Sequence, residues 1–239
     1  MAPILRAEKI CSGYRKLQVL FEVSAEFPEK EITVIVGPNG SGKSTFLKTV
    51  FGLTNVYSGR ILFNGYDITR KAPHEVSRMG IAYLPQLDNV FSELTVRENL
   101  MMAGYTLRDE REAKERVSEI TAMFPILREY WGRKAGTLSG GEKQMLAMGM
   151  ALMRRPQLML FDEPTGNLAP KVAIEVLETI RKVRDEYGVT VLLAEQNAKR
   201  ALEYGDGALL LVSGQVAFQG RAEELLHHAE LGKLYLGIR

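Results

Sequence analysis

The run Gly37-Pro38-Asn39-Gly40-Ser41-Gly42-Lys43-Ser44-Thr45 stands between an apolar stretch, residues 32–36, and a helix-like stretch, residues 45–51. A strand that enters a glycine-rich loop and leaves it as a helix is the context of a phosphate-binding loop in an α/β sheet. Gly37, Gly40 and Gly42 let consecutive backbone N–H groups turn inward around an anion with no Cβ in the way. The helix that begins there points its positive end at the same spot. The pattern therefore predicts a nucleoside triphosphate, with Lys43 reaching its β- and γ-phosphates and Ser44 offering a hydroxyl to Mg²⁺.

Composition narrows the setting. With 239 residues, 46% hydrophobic and 25% charged, the chain has enough apolar material for one or two compact lobes. Lys and Arg total 31 against 29 Asp and Glu, a net charge of +2 that gives no electrostatic reason to expect nucleic acid or an anionic lipid surface as a partner. Cys11 stands alone, so no internal disulfide forms, and no secretory-type apolar segment precedes the first strand; the cytosol is the expected compartment. No run approaches 18 apolar residues. The richest, 145–153, is interrupted by Gly149. A task at a membrane would need another chain to supply the transmembrane part.

Along the chain, residues 4–10, 19–27, 32–36 and 60–63 read as strands, the last running into an Asn64-Gly65 turn, so the first 70 residues are β-rich. After a further strand at 80–84 the pattern becomes helical at 96–103 and 109–124, where Val117, Ile120 and Phe124 fall on one face. Beyond Pro156 strands and helices alternate: strands at 158–161, 189–194 and 208–212, helices at 171–187 and 197–204. A tight Ser213-Gly214 turn, a strand at 216–218 and a short helix at 222–227 follow. The expected fold is α/β: a doubly wound, mostly parallel sheet of P-loop type with an antiparallel β region at the N-terminus and an inserted helical lobe. The expected division is a core of 1–87 and 154–239 around a helical subdomain of 88–153, forming one cassette rather than two.

Leu158-Met159-Leu160-Phe161-Asp162-Glu163-Pro164 is a buried-strand run that ends in two adjacent carboxylates. Ligands gather at the carboxyl ends of parallel strands, and alternate residues face opposite ways. Asp162 is thus a candidate to hold Mg²⁺ or its water, and Glu163 to deprotonate a water in line with the γ-phosphate. Leu138-Ser139-Gly140-Gly141-Glu142 forms an S-x-x-E capping box ahead of a helix at 143–154. Two glycines in a first turn cost about 1 kcal/mol each against alanine, and a cap alone has no use for them. Close approach of a phosphate to bare N–H groups does.

Phosphate loop, Tyr83-Leu84-Pro85-Gln86, residues 138–142 and residues 158–163 together, in this order and spacing, resemble the ATP-binding cassette (ABC) ATPases over essentially the whole chain. The resemblance implies a head-to-tail dimer with two ATP molecules sandwiched between the phosphate loop of one subunit and Ser139, Gly140, Gly141 and Glu142 of the other. It further implies that Gln86 touches Mg²⁺ or the attacking water, that Tyr14 stacks on adenine, and that ATP and Mg²⁺ are the cofactors. Two departures stand out. Glu195-Gln196-Asn197 occupies the place of the family's usual histidine, and Gln196 donates a hydrogen bond but takes up no proton at neutral pH, which leaves Glu163 as base. Ala169 replaces an acid that many relatives carry.

Leu168-Ala169-Pro170, Ala194-Glu195-Gln196-Asn197-Ala198, the run Phe91-Ser92-Glu93-Leu94-Thr95-Val96-Arg97-Glu98-Asn99-Leu100 and the ending Tyr235-Leu236-Gly237 look like the ATPase subunits of branched-chain amino-acid importers, although Gln86-Leu87-Asp88-Asn89 lacks the charged pattern frequent in that group. The resemblance implies an ATP hydrolase on the cytoplasmic face of a membrane, partnered by permease subunits, a second ABC ATPase and, indirectly, an extracytoplasmic solute-binding protein. The alternatives are the ATPase of a lipid or polysaccharide exporter, or a soluble ABC factor acting on ribosomes or DNA. A P-loop kinase or GTP switch leaves residues 139–142 unexplained.

Overall fold

The computed structural model describes residues 3–87, 89–105, 107 and 109–228. Asp88 and the Tyr235-Leu236-Gly237 ending lie outside them. The elements run β1 (Leu5–Tyr14), β2 (Leu17–Phe27), β3 (Ile32–Val36), α1 (Lys43–Val50), β4 (Asn55–Phe63), β5 (Tyr66–Asp67), α2 (Pro73–Arg78), β6 (Ile81–Leu84), α3 (Val96–Ala103), α4 (Glu110–Met123) and α5 (Pro125–Glu129). They continue with a 3₁₀ turn at Ala135–Thr137, α6 (Gly140–Leu152), β7 (Leu158–Asp162), α7 (Pro170–Tyr187), β8 (Thr190–Ala194), α8 (Ala198–Leu202), β9 (Gly207–Val212), β10 (Gln215–Arg221) and α9 (Ala222–Leu226).

Two sheets form. β2, β1, β4 and β5 make an antiparallel sheet, and β10, β9, β3, β8, β7 and β6 make a six-stranded one in which only the edge strand β10 is antiparallel. β3, β7 and β8 are buried along their whole length, and their continuous apolar runs follow from having both sheet faces covered. Alternation divides their side chains between two cores. Val34, Val36, Met159, Phe161, Val191 and Leu193 pack with α6, α7 and the helical segment, whereas Ile35, Leu158, Leu160, Leu192 and Ala194 pack with α1 and the antiparallel sheet. Among the described residues no helix is long and apolar enough to cross a membrane.

Local chemistry sets the boundaries. Asn64-Gly65 and Ser213-Gly214 each carry two consecutive positive φ values, as a two-residue hairpin turn requires. α7 starts with Pro170 in its first turn and ends on Gly188 at φ 62, and its buried Ala173, Val176, Leu177, Ile180 and Val183 form one apolar stripe. Asp109 caps α4 by accepting from Glu112 N at 2.7 Å. β4 extends from Asn55 rather than from residue 60, and β1 to Tyr14 rather than to residue 10, because each is held by cross-strand partners its own sequence does not name. The short α2 and α5, each begun by a proline, have too few residues for a helical period to be visible in the sequence.

Candidate functional site

The loop after β3 and the loops after β7 and β8 meet at the carboxyl edge of the parallel sheet, where crevices for ligands form. Gly37, Gly40 and Gly42 have φ of 146°, 77° and 104°, a region closed to most side chains, and their sequence places glycine at all three. A Cβ on Gly37 would lie 2.0 Å from Leu211 O, so this glycine is also fixed by close backbone approach. Pro38, Asn39 and Gly40 form the exposed lip of the loop, and Ser41, Lys43 and Thr45 are buried. No side chain caps α1, which leaves its first N–H groups facing the loop, and the Ser41 hydroxyl is buried without a hydrogen-bond partner. Both features suit a phosphate ligand.

Lys43 is 4% exposed and folds back to donate from Nζ to Gly37 O at 2.9 Å and Pro38 O at 3.2 Å. Burial pushes its pKa below the usual lysine value, while the charges of Glu163, Asp162 and Glu195 act the other way. Ser44 Oγ donates to Asp162 Oδ1 at 2.6 Å. A hydroxyl and a carboxylate so paired are the hard oxygen donors that Mg²⁺ takes, and the donor set fits that ion.

Asp162 Oδ2 accepts a second hydrogen bond, from Tyr83 OH at 2.9 Å. Burial first, then the neighbouring Asp162 charge, raises the Tyr83 pKa and keeps the phenol protonated as a donor. Tyr83 was visible only as part of a family motif. Its role depends on register: Tyr83 pairs with Leu160 across the parallel ladder, and Asp162, two residues further on, shares that face. Glu163 lies just past the strand at φ 50, and its Oε2 accepts from Gln196 Nε2 at 2.7 Å. The two carboxylates thus face different partners, Asp162 as the last residue of the strand and Glu163 in the turn beyond it.

Glu195, singled out in the sequence only as part of a departure, is 3% exposed and joins the two loops. Its Oε1 accepts from Thr165 N at 2.9 Å and its Oε2 from Gln196 N at 3.3 Å. Burial pushes its pKa up, and these hydrogen bonds oppose the shift. Gln86 is half-buried, and a Cβ on Gly166 would come within 2.6 Å of its Nε2, so the Gln86 amide lies against the turn that follows Glu163.

Two expected groups share no hydrogen bond with these residues among the described ones. Tyr14 ends β1 and is 40% exposed. Ser139 caps α6, accepting from Glu142 N at 3.4 Å, while Glu142 Oε2 accepts from Ser139 N at 2.7 Å, which lowers the Glu142 pKa. Gly140 and Gly141 have a packing reason that the sequence did not reveal: a Cβ on either would fall 2.5 Å from Leu168 Cδ2 or Val172 Cγ1 respectively. Among the described residues no hydrogen bond links residues 139–142 to the phosphate loop.

A family model described as ABC transporter matches residues 20–166. A probable branched-chain amino acid transport ATP-binding protein, LivF, of Archaeoglobus fulgidus is 53% identical over 98% of this chain and 99% of its own length. The high-affinity branched-chain amino acid transport ATP-binding protein BraG of Pseudomonas aeruginosa is 40% identical over 98% of this chain and its entire 100% length. A crystal structure of the ADP conformation of an ATP-binding cassette of an ABC transporter superposes with a TM-score of 0.87 at 29% identity, covering 98% of both chains.

Proposed function

The chain belongs to the ABC transporter family as an ATP-binding subunit that hydrolyses ATP in the service of transport, and from that premise we propose that it powers an importer of branched-chain or related amino acids. The observation that carries the site is the convergence at one sheet edge of Lys43, the Ser44–Asp162 pair at 2.6 Å and the Gln196–Glu163 pair at 2.7 Å. The phosphates lie in the loop of residues 37–45, and Lys43 exchanges two neutral carbonyl acceptors for anionic phosphate oxygens, a stronger charge-assisted bond. Ser44 and Asp162, with Gln86 nearby, would hold Mg²⁺, which would supply positive charge to the triphosphate.

Glu163 takes the proton of the attacking water, and Gln196 keeps its carboxylate oriented while offering an uncharged donor toward the γ-phosphate. Tyr14 stacks on the base. Ser139, Gly140, Gly141 and Glu142 act on ATP held by the partner subunit of a head-to-tail dimer, whose closure drives permease subunits through the helical subdomain, residues 88–153. The subunit works on the cytoplasmic face, with an extracytoplasmic solute-binding protein upstream and no nucleic acid involved. The 53% and 40% identity to branched-chain amino-acid transport subunits over nearly the full chain supports this assignment over an exporter or a soluble factor.

Single substitutions test it. Glu163→Gln is expected to lower kcat by about 10² to 10⁴-fold while ATP still binds; turnover at the native rate removes Glu163 from the role of base. Lys43→Ala is expected to lose ATP binding at millimolar concentrations, and retained affinity refutes the loop assignment.

A further inference from the structure

The chemistry proposed above gives Glu195 no task, although the cost of burying a carboxylate at 3% exposure calls for one. The residue follows β8, and its own N–H donates to Ile35 O at 3.2 Å, which ties it to the strand that feeds the phosphate loop. Its two carboxylate oxygens reach in different directions, one to Thr165 N in the turn after Glu163 and the other to Gln196 N. That turn is tight: Gly166 N donates to Glu163 O at 3.0 Å and Leu168 N to Thr165 O at 3.2 Å. Since Gln196 Nε2 donates to Glu163 Oε2, the contacts close a ring through Glu195, Thr165, Glu163 and Gln196.

An ionised acid suits the centre of this ring for a simple reason. Both groups it meets are N–H donors, and a carboxylate is acceptor-only, so both bonds form; an amide satisfies one and sets its NH₂ against the other. The Thr165-Gly166 turn is also the surface on which the Gln86 amide lies. Displacement at Thr165 therefore reaches Glu163 through the chain and Gln86 through contact, while displacement at Gln196 N reaches Glu163 through the side-chain amide.

We propose that Glu195 is a positioning residue for ATP hydrolysis, a buried strut that holds the loops after β7 and β8 in one relative arrangement and so aims Gln196 and Glu163 at the γ-phosphate. It touches neither nucleotide nor water in this role. The inference rests on the ATP site proposed above. A misplacement of about 1 Å at a reacting group costs on the order of 10²-fold in rate, so a strut can govern kcat without contributing to affinity.

The test is steady-state ATPase kinetics together with equilibrium binding of MgATP to the full chain. Glu195→Ala is expected to lower kcat by about tenfold or more with the ATP Kd changed less than about twofold. Glu195→Gln, which keeps one of two acceptors, should fall between Ala and wild type. In a cycle with Gln196→Ala, the double variant Glu195→Ala/Gln196→Ala should be no slower than the slower single variant, because both remove the same support. Native kcat in Glu195→Ala, equal losses of kcat and affinity, or additive effects in the cycle each overturn the proposal. If Glu195→Ala does not fold, Glu195→Gln takes its place in the same cycle: reduced kcat and non-additivity support the strut, and a native rate or additivity refutes it. Lys43→Ala separates this inference from the site itself. Retained ATP binding in that variant defeats the site, whereas loss of binding there with an unimpaired Glu195→Ala defeats only the strut.

Discussion

Tyr83 donates its phenolic proton to Asp162 Oδ2 at 2.9 Å while Ser44 serves Oδ1 at 2.6 Å, so both oxygens of the acid are aimed by neighbours. Removing only the hydroxyl leaves the ring packed near Phe51, at 5.5 Å between centroids, and frees one Asp162 oxygen. Tyr83→Phe is therefore expected to lose about 1 kcal/mol, read as roughly a fivefold higher Mg²⁺ concentration at half-maximal ATPase activity. An unchanged Mg²⁺ midpoint would show that Asp162 needs no such support. Lys43, Ser44, Asp162 and Glu163 were legible as candidates from short motifs, and Gln196 from the family resemblance. Tyr83 and Glu195 were not. Their roles depend on the β6–β7 register and on a hydrogen bond that Thr165 N, thirty residues earlier in the chain, donates to Glu195.

At the level of elements, α1 and α6 begin differently. α1 has no side-chain cap, whereas α6 is closed by the reciprocal Ser139–Glu142 box. The glycines of α6 answer to packing as well as to any ligand. Val172 is β-branched and stiff, so its Cγ1 cannot easily yield to a new methyl 2.5 Å away, while Leu168 Cδ2 is the tip of a more adaptable chain. Overpacking costs about 1–3 kcal/mol and the helical preference for alanine returns about 1 kcal/mol. Gly141→Ala should lower the urea midpoint by a net loss of up to about 2 kcal/mol, and Gly140→Ala should leave it nearly unchanged. A Gly141→Ala protein as stable as the native one would leave phosphate approach as the reason for that glycine. The capping box was legible from sequence; the contact with Val172 was not, since it is made by a different helix.

For the whole molecule, the expectation concerns assembly. If ATP is shared between two copies, Glu163→Gln should accumulate dimers in MgATP that fall apart in ADP, because the γ-phosphate contacts that hold them are absent from ADP. Size-exclusion chromatography with light scattering reads this directly, and a variant that stays monomeric at saturating ATP with native hydrolysis removes the shared site. The strand–loop–helix of residues 32–50, the apolar β3, β7 and β8 as strands of a mostly parallel sheet, and the acids at the end of β7 can all be read from the residues alone. Those features are local: a period, a cap, or a glycine at positive φ is written within a few adjacent residues. The extension of β1 and β4 beyond what their own residues suggest, and the bridge that Glu195 makes between two loops, come only from the folded chain. Strand pairing and buried charge draw on partners far along the chain, and only the folded molecule brings those partners together.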